Sequence, residues 1–368
     1  MEPFGASGIW KDHDRGSRIQ DNLSIHGEEA KTIHQRFNTF VPLTSEPAMR
    51  RTSGVILASL IIVISLYESA FALMAYATLY QNLNGADVVI ASVLSERVDS
   101  LSTLYSFRIN ERLTGSISDS VISIISFIGK TTWVEDEETF AVGRKYLLLL
   151  HRGGSAFTWD PIRSQIYRQS NAYRAIRSFP ESREDFNSAL EATRALIPIR
   201  SLNDSSEVKK RFLIFLGSKN DFLVESAIEE VRRSKDTRSI PDLRQLSGSG
   251  SQQVRFFALT ALRELSGKDE APTYFKSLRD SSSSVRQRAL QNLIWSEATI
   301  PEDTLIQIAA NANEVFDNRS IAIHQLLRKH STRSIPILES LLKEKPDNKQ
   351  LRRVLPPIID SLKTFLKR

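Results

Sequence analysis

The sequence predicts an α+β protein, a small β-barrel followed by an α-helical solenoid. Three observations carry this. Residues 86–170 hold short apolar or alternating segments bounded by glycine, the pattern of strands. Residues 205–368 carry an alanine and a proline landmark that recur at matching periods, the mark of a stacked repeat. An apolar stretch at 49–80 separates both from a polar leader at 1–48.

The leader has scattered charges of both signs, Gly5, Gly8 and Gly16, and no periodic apolar face. Such composition does not support a core and predicts disorder. Either these residues are a cytoplasmic tail, or Met49 is the true start and they belong to an over-extended reading frame. Arg50 and Arg51 then precede a nearly uninterrupted apolar run, Val55 to Leu66. Two A-x-A patterns follow, Ala70-Phe71-Ala72 and Ala75-Tyr76-Ala77. A basic n-region, a short apolar core and an A-x-A site are the parts of a secretory signal, with cleavage expected after Ala72 or Ala77. A membrane span needs about 20 apolar residues. Here that length includes Glu68 and costs about 2.5–3.5 kcal/mol if the carboxylate lies near the bilayer centre. A retained anchor over 55–79 is the alternative, and a buried helix the third. By the positive-inside rule the long C-terminal part is exported in both membrane readings.

The chain has 368 residues, 41% hydrophobic and 25% charged, which is ordinary for a folded protein. With no cysteine, disulfides, thiol nucleophiles and cysteine-ligated zinc are excluded. The net charge of +6 permits acidic partners without requiring nucleic acid.

Within 86–170, "ADVVIASVLSERV" is rich in β-branched residues. In "TLYSFRINERLTG", Tyr105, Phe107 and Ile109 alternate with Ser106, Arg108 and Asn110, and Gly115 ends the run. "SVISIISFIG" is a third strand, and "KYLLLLHRGG" a fourth, apolar enough to be buried on both faces. "AFTWD" and "QIYRQ" suggest short further strands. These segments resemble a β-module of exported bacterial proteins with the approximate pattern ADxVVxGxV, YTFxVxExLKG, FxxGExYLLFL. The resemblance implies an OB-like barrel, distantly similar to tissue-inhibitor-of-metalloproteinase modules, and brings no catalytic residues. Ala91, Ser92 and Arg144-Lys145 depart from the pattern.

Residues 172–204 read as a helical linker or cap. Beyond them, Ala227, Ala258, Ala289 and Ala322 are the small residues of four similar segments, 31, 31 and 33 residues apart. Pro241, Pro272, Pro301 and Pro336 open the partner segments. Proline suits the first helical turn, where its missing N–H is not needed. Each unit is therefore a proline-started helix, a polar turn and a second helix. "LRRVLPPIIDSL" is a fifth partial unit whose helix Pro356-Pro357 should break. The pattern resembles HEAT repeats, including the lyase-type relatives, with Val254-Arg255 and Val285-Arg286 in the "VR" positions. Val224-Glu225 and Asn318-Arg319 depart from it. The resemblance implies a solenoid whose helix pairs bury apolar faces only by stacking.

Catalytic chemistry finds little support. "FIGKT" at 127–131 lacks the glycine a phosphate loop needs, having Ile124 there. The run Glu135–Glu138 has no calcium-loop spacing. His324 and His330 do not share a helical face, and "SGSGS" is a turn between helices. No cofactor or metal is expected. Arg255, Arg286 and Arg319 recur at repeat spacing and could grip an anion; the resemblance to HEAT-like arrays implies instead that each pairs with an acidic residue of the preceding turn, Asp280 or Asp317. A helical wheel places Phe256 and Thr260, Gln287 and Gln291, and Ser320 and His324 in one exposed column. From it Phe256, Thr260, Gln287, Gln291 and His324 are the candidate partner-binding residues; the alternative, since Phe256 stands only about 60° from Leu259 on the wheel, is that it packs against an adjoining helix or the β-barrel. The expected function is non-catalytic protein binding or scaffolding at the cell envelope, with no nucleic acid. The alternatives are a bilin-lyase-type enzyme, implied only by the repeat resemblance, and a nucleic-acid-binding solenoid.

Overall fold

The computed structural model describes residues 77–98, 102–127, 139–152, 173–344 and 349–366. The polar leader, the apolar stretch up to residue 76 with Ala72, the acidic run, and the "AFTWD" and "QIYRQ" segments lie outside these residues.

The described body starts with a short helix, α1 (Leu79–Leu83). Thr78 closes it with a capping box. Its hydroxyl accepts from Gln81 N–H, and Gln81 Oε1 accepts from Thr78 N–H. Leu79 and Leu83 are fully buried, so the core recruits the chain from this first turn.

Five strands follow, β1 (Asp87–Val98), β2 (Ser102–Thr114), β3 (Val121–Phe127), β4 (Lys145–Arg152) and β5 (Tyr173–Pro180). Their order is β1-β2-β3-β5-β4, with β4 pairing back onto β1. All pairs are antiparallel except β3–β5, whose seam is the single parallel pair Ile124–Tyr173. The ring is therefore thin on that side. β4 and the first half of β1 are buried on both faces, as the continuous leucines of β4 predict, whereas β1 beyond Val93 is exposed. Tyr146, Leu148 and Leu150 fill the barrel interior, whereas Leu147 and Leu149 join the helical core. The interior is packed with aromatics. Phe140 meets Tyr105 and Phe107 edge-on at 5.1 Å and Tyr146 at 5.2 Å, the favoured geometry for such rings. Gly115 ends β2 at φ 109°, and a Cβ there would strike Asp87, so the turn demands glycine.

β5 corrects the expectation that 172–204 is wholly helical. Arg174 and Arg177 obscure the apolar pattern of "YRAIRSFP", and its pairing with β4 slips register between Leu149 and Leu150. A slip switches the face each following residue presents, so strict alternation is lost.

After α2 (Phe186–Arg200) come five helix pairs. They are α3 (Ser205–Phe215) with α4 (Asp221–Arg233), α5 (Ile240–Leu246) with α6 (Gln252–Ser266), and α7 (Ala271–Ser277) with α8 (Ser283–Trp295). The last two are α9 (Glu302–Ala310) with α10 (Phe316–Arg328), and α11 (Ile335–Glu344) with α12 (Lys349–Leu366). Within each pair the two helices pack together, and the second helices α4, α6, α8, α10 and α12 stack in sequence. Ala227, Ala258, Ala289 and Ala322 are fully buried, and their small size lets the second helices approach closely. α1 and α2 pack on α4, and α2 also meets β5, which joins barrel to array. Asn220 reinforces this, capping α4 at Phe222 N–H while its amide donates to Ser188 O at 2.8 Å.

α12 corrects a second expectation, because it runs unbroken through Pro356 and Pro357. Leu355, Ile358, Ile359 and Leu362 form a buried stripe that holds it. The carbonyls deprived of donors belong to Arg352 and Arg353, whose side chains are exposed. Burial of four apolar side chains, about 6–12 kcal/mol in all, offsets or exceeds the cost of two internal prolines, about 6 kcal/mol.

Candidate functional site

The repeated arginines serve the architecture. Arg255 donates to both carboxylate oxygens of Asp280, at 2.7 and 2.8 Å, and to the turn carbonyls of Ser249 and Gly250. Arg286 repeats the device one unit on, gripping Glu314 at 2.7 and 2.8 Å and the carbonyls of Asp280 and Ser281. Each arginine thus ties its own turn to that of the next pair. The expected pairing with the preceding turn is not what forms: each arginine reaches forward, so Asp280 pairs with Arg255 and not Arg286, Glu314 pairs with Arg286, and Arg319 donates to Ala309 O instead of holding Asp317. Burial alone would raise the carboxyls of Asp280 and Glu314. The hydrogen bonds from Arg255 and Arg286 overcome it and hold both below the ordinary carboxylate range.

The expected exposed column does not form. Phe256 is only 4% exposed and Gln291 only 6%, while Thr260, Gln287 and His324 are half-buried. The wheel treats α6 as having one buried face. In the stack it lies between α4 and α8 and packs on α5, so Val254, Phe256, Phe257, Ala258, Leu259, Ala261 and Leu262 are all buried. Thr260 spends its hydroxyl on Phe256 O at 2.9 Å. Gln291 Oε1 and His324 Nδ1 are buried without a hydrogen-bond partner, and burial lowers the His324 pKa. His330, on the other side of α10's end, packs on the Phe365 ring at 3.9 Å.

What the second helices do bring together is a basic and aromatic patch across α4, α6 and α8. Arg232 of α4 bridges Glu229 at 2.6 Å and Glu264 of α6 at 2.7 Å. Arg263 of α6 also touches Glu264, at 3.1 Å, and lies 4.1 Å from the ring centre of Trp295 on α8. Arg288 of α8 lies 4.5 Å over the Phe256 ring. Both ring contacts have cation–π geometry. Trp295 is 53% exposed, whereas Arg288 is 6% exposed with its Nε buried and unpaired. Burial pushes the Arg288 guanidinium down to about 9, and the neighbouring charges of Arg263 and Arg232 push the same way against Glu264.

Periodicity gave no access to this patch. Arg288 sits beside the apolar stripe Ala289, Leu290 and Leu293, where a wheel reads it as a flanking cation. Trp295, the one tryptophan after α6, was the available signal, as an aromatic closing a helix and followed by a polar turn.

Among the described residues no group of three or more His, Asp or Glu is placed to hold a metal ion. Among them no helix is long and apolar enough to cross a membrane. Ala77, at the second A-x-A, is exposed, and its carbonyl accepts from Asn82 at 3.3 Å and Arg177 at 3.4 Å.

No protein-family model matches the chain, and no curated protein matches it. Solved structures similar to it include the complex of CpcE and CpcF of phycocyanin lyase from Nostoc sp. PCC7120. The identity is 16%, over 48% of this chain and 74% of that chain, with a TM-score of 0.24. A likeness at that level carries no argument, and the helical-pair architecture rests on the helices themselves.

Proposed function

We propose that this chain is a non-catalytic protein-binding scaffold of the cell envelope, built from an OB-type barrel and a HEAT-type solenoid. The carrying observation is the exposed Trp295 with the Arg263 guanidinium on its ring, beside the stacked second helices. Tryptophan and arginine dominate binding hot spots, where a large rigid ring and a weakly hydrated cation lose little on desolvation. The docking face is thus centred on α6–α8 and shifted from Phe256 to Trp295. The export part of the reading rests on Arg50-Arg51, the apolar run Val55 to Leu66 and the two A-x-A patterns. Of the two cleavage positions, Ala72 keeps Ala77 and its two accepted hydrogen bonds, whereas cleavage after Ala77 removes them.

The test is capture of protein partners from envelope extract by the full chain. Trp295→Ala should keep the wild-type melting profile and weaken capture at least about tenfold, near 1.4 kcal/mol. Undiminished capture by that variant would refute docking at this face.

A further inference from the structure

We infer that the Arg288 guanidinium is the seat of a carboxylate, supplied by an acidic side chain or chain end of the docking protein. This inference rests on the protein-binding reading and adds the chemistry of the contact.

Arg288 differs from three other arginines of the second-helix stack. Arg232, Arg255 and Arg286 all hold carboxylates. Arg288 is as buried as a core residue, yet its Nε has no hydrogen-bond partner. Among the described residues the acid acting on it is Glu264, which already receives Arg232 and Arg263. Counting these side chains, three cations (Arg232, Arg263, Arg288) face two carboxylates (Glu229, Glu264), an excess of one positive charge. A buried cation without a counter-charge is costly, and its site is stabilised by whatever neutralises it. The Phe256 ring covers one face of the guanidinium and Nε is shut off from solvent, which leaves the Nη1–Nη2 edge for a ligand. That edge, with parallel N–H donors, matches a carboxylate held in bidentate fashion. One excess charge suits a monoanion better than a phosphate dianion. The exposed Trp295 and Arg263 beside it supply contact area that a peptide can use and a free small anion cannot.

Binding to the full chain is measured by calorimetry at constant ionic strength with three probes: acetate, inorganic phosphate, and an end-blocked tetraglutamate peptide. The variants are Arg288→Met, Trp295→Ala, and the exposed charge control Arg279→Met. We expect saturable binding of acetate and of peptide, the peptide at least tenfold tighter, and phosphate no tighter than acetate. Arg288→Met should raise the melting temperature, because it removes a buried unpaired charge, and weaken peptide binding at least tenfold. Arg279→Met should change it less than twofold. The inference is overturned if neither acetate nor peptide binds, if acetate or phosphate binds as tightly as the peptide, or if the two arginine variants lose binding equally. Should Arg288→Met not fold, the wild-type Arg288 Nε–H resonance must move saturably with acetate, and a fixed resonance overturns the inference. If Trp295→Ala loses its envelope partner while Arg288→Met keeps it, the docking face stands and the carboxylate seat fails.

Discussion

Phe256→Ala is expected to destabilise the fold by about 3–5 kcal/mol, the range for truncating a buried phenylalanine. Phe256 is buried in α6 between α4 and α8, edge-on to Phe257 at 5.9 Å. Its loss opens a cavity whose closure is resisted by the ties from α6 to its neighbours, Arg232–Glu264 to α4 and Arg255–Asp280 to the turn before α8. It also strips Arg288 of the ring beneath it. Urea unfolding of the variant beside Thr260→Ser checks this. The second substitution keeps the hydroxyl that bonds Phe256 O and should change stability by no more than about 0.5 kcal/mol. A Phe256→Ala effect that small would return the ring to the surface and restore the column the helical wheel describes.

Glu225 should make the protein lose about 3 kcal/mol of stability as pH rises from about 4.5 to about 7. It lies on α4, 6% exposed, in the field of Arg177 from β5. Burial raises its carboxyl from 4.5 to about 7, Asp221 adds to the rise, and Arg177 opposes it. The folded form therefore holds the proton to higher pH than the unfolded chain does. Between these two values the unfolded chain binds fewer protons, so stability falls with rising pH and then levels off. On the acid side the signs reverse. Asp236, held down chiefly by its Arg238 hydrogen bond, and Asp280 and Glu314 contribute stability that is lost as pH drops through their lowered values. Stability should peak near pH 4.5. Glu225→Gln, measured by urea unfolding from pH 4 to pH 8, should abolish the fall above the peak. A variant whose profile follows the wild type would show that Glu225 is not the responsible group.

Much of the architecture is legible in the sequence because its determinants are local. Alternation in Tyr105, Phe107 and Ile109 and the leucine run of β4 announce strands. The alanines and prolines of the array announce helix pairs, since each satisfies a requirement of its own turn or contact. β5 is not legible, because its register slips against β4 and that slip belongs to the pairing, not to the strand. Pro356 and Pro357 mislead for a similar reason, since the stripe that holds α12 is buried by α10 and α11. The candidate site is the least legible part. A wheel gives angles about one axis, whereas exposure on α6 and α8 is set by the helices on both sides. Phe256 and Gln291 therefore turn inward, and the exposed ring is Trp295, at a helix end where stacking stops covering it.

An envelope scaffold must first leave the cytoplasm, so the compartment decides between this function and every other. N-terminal sequencing of the native protein from fractionated cells tests this directly. The account predicts an envelope protein beginning at Leu73 or Thr78, with the Thr78 cap intact in either case. A soluble cytosolic protein retaining residues 49–77 would contradict it.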